Sequence, residues 1–237
     1  MLFRSDTRTG RLTTIGEGSS PIFTPAGNQI IYLRDGKLWT TPALGGAQRK
    51  LFEVRGNVNS PRWSPDGTQL AFVSNRGDHS FISVYDTRAK EIRFLAPTVD
   101  RDVAPRWSSD GRRIAFIRLF NISDTFSMDR ERFQPWAIHV VDARTGEGKQ
   151  IWRSGDQEND SYPGNAADDF WQWVAGDRLL FPSEKDGWIH LYSISAEGGA
   201  VESLTPGNFE VENVALSQDK SFVVFSTNKS EDRKSVV

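Results

Sequence analysis

Apolar residues in this chain fall in short alternating runs, each closed by a polar turn, and one such unit recurs. Ser60-Pro61-Arg62-Trp63-Ser64-Pro65-Asp66-Gly67-Thr68-Gln69-Leu70-Ala71-Phe72 returns as Ala104-Pro105-Arg106-Trp107-Ser108-Ser109-Asp110-Gly111-Arg112-Arg113-Ile114-Ala115-Phe116. Weaker copies run from Ser20 to Tyr32, turning at Thr24-Pro25-Ala26-Gly27, and from Val214 to Phe225, turning at Ser217-Gln218-Asp219-Lys220. Alternation with a period of two predicts strands, and Asp-Gly between two of them predicts a tight hairpin. Aligned on Gly27, Gly67, Gly111, Gly176 and Lys220, the turns are 40, 44, 65 and 44 residues apart. That period is the one expected of propeller blades with a single insertion.

The second unit predicts a whole blade. Its strands are Ser60 to Trp63, Gln69 to Ser74, Phe81 to Tyr85 and Glu91 to Leu95, joined by polar turns. The same grammar predicts strands Gln29 to Leu33, Lys37 to Thr41 and one around Lys50 to Phe52 in the first blade. The third has Ile114 to Arg118 and Trp136 to Asp142, and the fourth Arg178 to Pro182, Ile189 to Ile194 and Val201 to Leu204. The ends are incomplete: Leu2 to Ile15 reads as two outer strands, and Val214 to Thr227 as two inner ones. The fold expected is all-β, a β-propeller of four-stranded antiparallel blades, four complete and two half. Residues 1–228 form this propeller, and 229–237 form a polar tail or the start of a further blade. The halves either pair to close a five-bladed ring or belong to a larger propeller. The insertion Leu119 to Gln134, carrying Asp129-Arg130-Glu131-Arg132, reads as a solvated excursion.

Composition narrows the function classes. The formal net charge of −2 over 237 residues argues against a nucleic-acid or membrane-surface role. No run approaches the roughly 18 apolar residues of a membrane span. The N-terminus lacks the apolar stretch of a signal peptide. With no cysteine there are no disulfides, thiolate metal sites or cysteine nucleophile, which fits a reducing or an oxidising compartment alike.

Catalytic patterns are missing. The strand-to-helix elbow G-x-S-x-G does not occur, and the serines of Gly16-Glu17-Gly18-Ser19-Ser20 precede a strand. Of the three histidines, His139 and His190 fall in central strands as packed positions, and His79 falls in an exposed hairpin loop. No metal-ligand spacing, Walker motif or cofactor signature occurs, and no two carboxylates stand out as a glycosidase pair. The doublets Asp168-Asp169 and Glu231-Asp232 read as solvated.

The repeated Trp-Ser-Pro-Asp-Gly unit, with Trp63, Asp66, Gly67, Trp107, Asp110 and Gly111, resembles two groups of propellers. One is the Tol-system interaction propeller. The other is the N-terminal propeller of the prolyl oligopeptidase family of serine peptidases. Ser183-Glu184-Lys185-Asp186-Gly187-Trp188-Ile189-His190-Leu191-Tyr192, with Leu204-Thr205-Pro206-Gly207 following, is similar to a run of the dipeptidyl peptidase IV-like propeller. Pro135-Trp136-Ala137-Ile138 fits the same group. The resemblance implies a non-catalytic, substrate-gating domain, with Asp186, Gly187, Trp188 and His190 as structural motif residues. Its partners would be a C-terminal α/β-hydrolase domain carrying the Ser-Asp-His triad and, through that domain, short peptides. No cofactor is implied. Peptidases of that kind anchor the substrate's free amine with a Glu-Glu pair, which this sequence lacks. Asp168 and Asp169 are the nearest substitute and the candidate substrate-binding residues. Dipeptide release, acylaminoacyl release and oligopeptide cleavage therefore stay open, as does a stand-alone interaction module.

Overall fold

In the computed structural model the described residues are 1–120, 134–155, 157–164 and 168–229. Most of the insertion 119–134, with Asp129 to Arg132, and residues 230–237 of the tail, with Glu231 and Asp232, lie outside them. β1 (Leu2–Ser5) and β2 (Leu12–Gly16) form a hairpin. β3 (Ser19–Phe23), β4 (Gln29–Arg34), β5 (Lys37–Pro42) and β6 (Arg49–Lys50) make the first four-stranded blade. β7 (Asn57–Trp63), β8 (Gln69–Asn75), β9 (Ser80–Asp86) and β10 (Glu91–Leu95) make the second. β11 (Arg101–Trp107), β12 (Arg113–Leu119), β13 (Trp136–Asp142) and β14 (Gly148–Arg153) make the third, joined to the second by one parallel pairing, Arg101 with Ser80.

A connection with two 3₁₀ turns, Glu158–Asp160 and Asp168–Phe170, leads to the fourth blade. That blade comprises β15 (Gln172–Val174), β16 (Arg178–Ser183), β17 (His190–Ser195) and β18 (Glu202–Ser203), and β19 (Val211–Leu216) pairs with β20 (Val223–Thr227) beyond it. All pairings within blades are antiparallel. The end hairpins β1–β2 and β19–β20 are separate two-stranded sheets, so among the described residues no sheet closes the arc.

Side-chain alternation explains why the blades stack. On β8, Leu70 and Phe72 enter the layer shared with the first blade, and Ala71 and Val73 the layer shared with the third. On β12, Ile114 and Phe116 face the second blade, and Ala115 and Ile117 face the fourth. Strands buried on both faces carry apolar residues in nearly unbroken runs, as these do. The largest layer packs Trp136, Trp171, Trp173, Phe181 and Tyr192 between the third and fourth blades. The ends have one packed face each: Leu2 and Val211 are buried, but Phe3, Leu12, Phe222 and Val224 are exposed.

Two local devices repeat. The aligned turn residues Gly27, Gly67, Gly111 and Gly176 all have φ near +70°, and Lys220 takes the same left-handed geometry at +58°. In three turns a serine hydroxyl donates to the aspartate two residues on, at 2.6 Å, from Ser64, Ser108 and Ser217. The second device was not expected. Ser20, Ser60 and Ala104, each before a proline, have φ of 50°, 48° and 54°, and the ladder slips beside each. This is a bulge in the innermost strand of three successive blades, and it re-aims the side chain that follows it.

Candidate functional site

The re-aimed side chains are Ile22, Arg62 and Arg106. In the second and third blades the guanidinium folds back identically, with Nη1 donating to the preceding proline carbonyl at 3.1 Å. Both arginines then meet Asp168, on the 3₁₀ turn entering the fourth blade. Arg62 Nη2 donates to Oδ2 and Arg106 Nη2 to Oδ1, each at 2.5 Å. Residues from three consecutive blades thus converge on one carboxylate.

The two arms differ in character. The Arg106 side chain is 7% exposed and also donates to the Trp171 and Asp168 carbonyls, at 2.7 and 2.9 Å. The Arg62 side chain is 34% exposed, with the Pro61 carbonyl as its other partner. Burial alone would raise the Asp168 carboxyl, but the hydrogen bond and charge of Arg106, helped by Arg62, hold it below its ordinary range. Burial lowers the Arg106 guanidinium, and Asp168 opposes that shift. Tyr162 stands nearby, its hydroxyl pKa raised chiefly by burial.

The two candidate carboxylates therefore part company. Asp168 is held by arginines, whereas Asp169 is exposed and borders a shallow hollow with Gln172 and Val214 to Leu216. Sequence reasoning missed Arg62 and Arg106. The available signal was an arginine at the same place in both strong copies of the unit, where the weak copy has Ile22.

The Asp186 to Tyr192 run is knitted to the Leu204 to Gly207 run. The Tyr192 hydroxyl donates to Asp186 at 2.7 Å, and His190 Nε2 donates to the Gly207 carbonyl at 3.0 Å. Thr205 Oγ1 accepts the Leu191 N–H at 2.9 Å and lies 3.3 Å from His190 Nδ1. Trp188 is half-buried. His139 packs on β13 against Phe116, and burial, then Arg118, lowers its imidazole to about 4. Asp102, fully buried, is held by Arg118 at 2.7 and 2.9 Å, yet burial pushes its carboxyl up to about 6. His79 is half-buried rather than fully exposed, with Nδ1 2.7 Å from Asp78. Among the described residues no group of acidic or histidine side chains is arranged to hold a metal.

Residues 126–235 match the family described as the dipeptidyl peptidase IV (DPP IV) N-terminal region. That match takes in 110 of the 237 residues, and over them the chain is similar to the DPP IV N-terminal region. Among curated proteins this propeller is 24% identical to the uncharacterized peptidase YuxL of Bacillus subtilis, over 93% of its own length. It spans 31% of that protein's length. Among solved structures, dipeptidyl peptidase 4 of Porphyromonas gingivalis superposes with a TM-score of 0.62 at 16% identity, covering 92% of this chain and 37% of the other. A protein assigned as TolB in Agrobacterium tumefaciens superposes at 0.60, also at 16% identity, covering 96% and 77%. At such identities the superpositions speak for the propeller fold alone.

Proposed function

We propose that this chain is the non-catalytic, substrate-gating propeller of a serine peptidase of the prolyl oligopeptidase type. Joined to an α/β-hydrolase domain, it would admit short peptides to a triad that the chain itself does not carry. The observation that carries the reading is the match of residues 126–235 to the DPP IV N-terminal region, supported by the YuxL relationship. The inner-edge cluster supports it too, because a domain that admits peptides would present charged groups there, as the partly exposed Arg62 and Asp168 do. In this reading Asp169 offers the free carboxylate for a substrate amine, and Asp168 fixes the turn that presents it.

A second reading, a stand-alone protein-interaction propeller, draws support from the superposition with the TolB-assigned structure over nearly the whole chain. One experiment separates them. Extracts of the native host are labelled with a fluorophosphonate serine-hydrolase probe, beside the purified 237-residue chain. The peptidase reading expects a labelled polypeptide larger than 26.7 kDa that contains these residues, and no labelling of the chain alone. A native polypeptide containing these residues but not labelled would overturn that reading in favour of the interaction module.

A further inference from the structure

The repeat gives each seam between blades an internal control. Between the second and third blades, Trp107 donates its indole Nε1 to the Arg62 carbonyl at 2.9 Å. Between the third and fourth, Trp171 Nε1 donates to the Ala104 carbonyl at 2.6 Å, and Arg113 bridges to Asp177 and Glu197. The seam between the first and second blades is different. Trp63, the counterpart of Trp107, has a buried Nε1 without a hydrogen-bond partner, and among the described residues no salt bridge crosses this seam. Pro25 lies against Gly67, so the first turns of the two blades touch.

Beside that contact, and lined by both turns, there is a cleft of about 350 Å³. Its floor is apolar and aromatic, formed by Ile31, Leu51, Trp63 and Tyr85. Arg49, from the outer strand of the first blade, and Lys90, from the last turn of the second, line its rim, and both are exposed. Neither side chain forms an ion pair among the described residues. The acid in the lining, Asp66, is turned into its own hairpin, accepting from Ser64 and Thr68. The lining therefore carries two cations against one engaged carboxylate, a net positive charge above an apolar floor.

We propose that this cleft is a docking site for an acidic peptide segment carrying one large apolar side chain. The apolar side chain would lie on Trp63 and Tyr85, and flanking carboxylates would meet Arg49 and Lys90. Charge complementarity selects the partner's sign: a basic segment would meet two cations and only the engaged Asp66, and a neutral one would leave the positive excess unanswered. The apolar floor adds affinity and lowers the local dielectric around the charge pairs. None of Arg62, Arg106 and Asp168 lines this cleft, and the site does not depend on the peptidase reading.

The probe is a fluorescein-labelled peptide of Gly-Ser-Glu-Asp-Phe-Asp-Glu-Gly-Ser, measured by fluorescence anisotropy on the whole chain. Its comparators are an analogue with lysine at the four acidic positions and one with serine for phenylalanine. Binding of the acidic peptide is expected, weakening with added salt, and falling at least ~10-fold in the Arg49→Glu/Lys90→Glu variant. Arg144→Glu, an exposed charge on another seam, should leave it unchanged. Both changes are at exposed positions, and an unaltered urea midpoint verifies that each variant is folded. No binding by the wild type at millimolar protein, equal binding of the lysine analogue, or equal loss in Arg144→Glu would overturn the proposal.

Discussion

Replacing Asp168 with asparagine should loosen three blades at once, and the two arms of its clasp set the size of the effect. A hydrogen bond to a charged group contributes about 1.5–3 kcal/mol, and the Arg106 arm falls low in that range because the Asp168 side chain is 61% exposed. The half-open Arg62 arm adds about 0.2–1 kcal/mol. Asparagine can still accept one arginine through its oxygen, but its amide hydrogens then face the other. The expected loss is about 2 kcal/mol, or roughly 0.7 M in the urea midpoint at a slope near 3 kcal/mol/M. Intrinsic tryptophan fluorescence reports it, since Trp171 is in the same cluster. Asp169→Asn is the internal control and should stay within about 0.5 kcal/mol, as exposed substitutions do. The sign with pH follows from the lowered carboxyl. The Asp168 contribution is complete above the ordinary value of 3.8 and fades as pH falls through the lower folded value, so the two proteins should converge in strong acid. Equal midpoints for wild type and Asp168→Asn, or equal losses at 168 and 169, would refute the reasoning.

Two buried groups in the third blade should give opposite pH slopes. Asp102 holds a proton in the folded state that the unfolded chain releases, so its contribution grows as pH falls from about 6 towards 3.8. His139 resists a proton that the unfolded chain accepts, so stability is lost as pH falls from 6.5 towards about 4. Urea titrations should therefore show His139→Gln gaining stability on acidification and Asp102→Asn losing it; parallel slopes would contradict the assignment. Trp107→Phe should cost about 1 kcal/mol more than Trp63→Phe, because only Trp107 leaves a carbonyl unpaired. Gly67→Ala should lower the midpoint further than Gly176→Ala: both lie at φ near +70°, but a Cβ at Gly67 would meet Pro25 at 2.8 Å and one at Gly176 meets nothing within 4 Å. Chemical denaturation of the four variants checks both pairs.

Much of the blade pattern was legible because it is written with a period of two and punctuated by residues that tolerate left-handed backbone. Glu91–Leu95 and Trp136–Asp142 occupy the spans that alternation predicts, and Lys220 was identified as a turn residue from alignment alone, with no glycine to mark it. Outer strands were harder to read. Arg49–Lys50 and Glu202–Ser203 are two residues each, and their polar side chains give alternation little to mark. The inner-edge cluster stayed hidden for a different reason. A one-residue bulge reverses which face the next side chain takes, so plain alternation does not show that these arginines are delivered to a shared carboxylate. Nor could sequence pair Arg62 with Asp168, 106 positions further on.

The order of the apolar layers has a mechanical consequence. Each apolar layer joins only adjacent blades, so apart from the Arg62–Asp168 contact stability resides in the seams and behaves as a one-dimensional series of coupled units. The third blade contributes to two seams and also sends Arg106 to the clasp. The end hairpins hold one seam each. Amide hydrogens of β12 and β13 should then exchange only when most of the arc comes apart, while those of β1 and β20 exchange through private fraying. A force applied to the two ends would peel the arc inward blade by blade and meet its firmest resistance at Asp168.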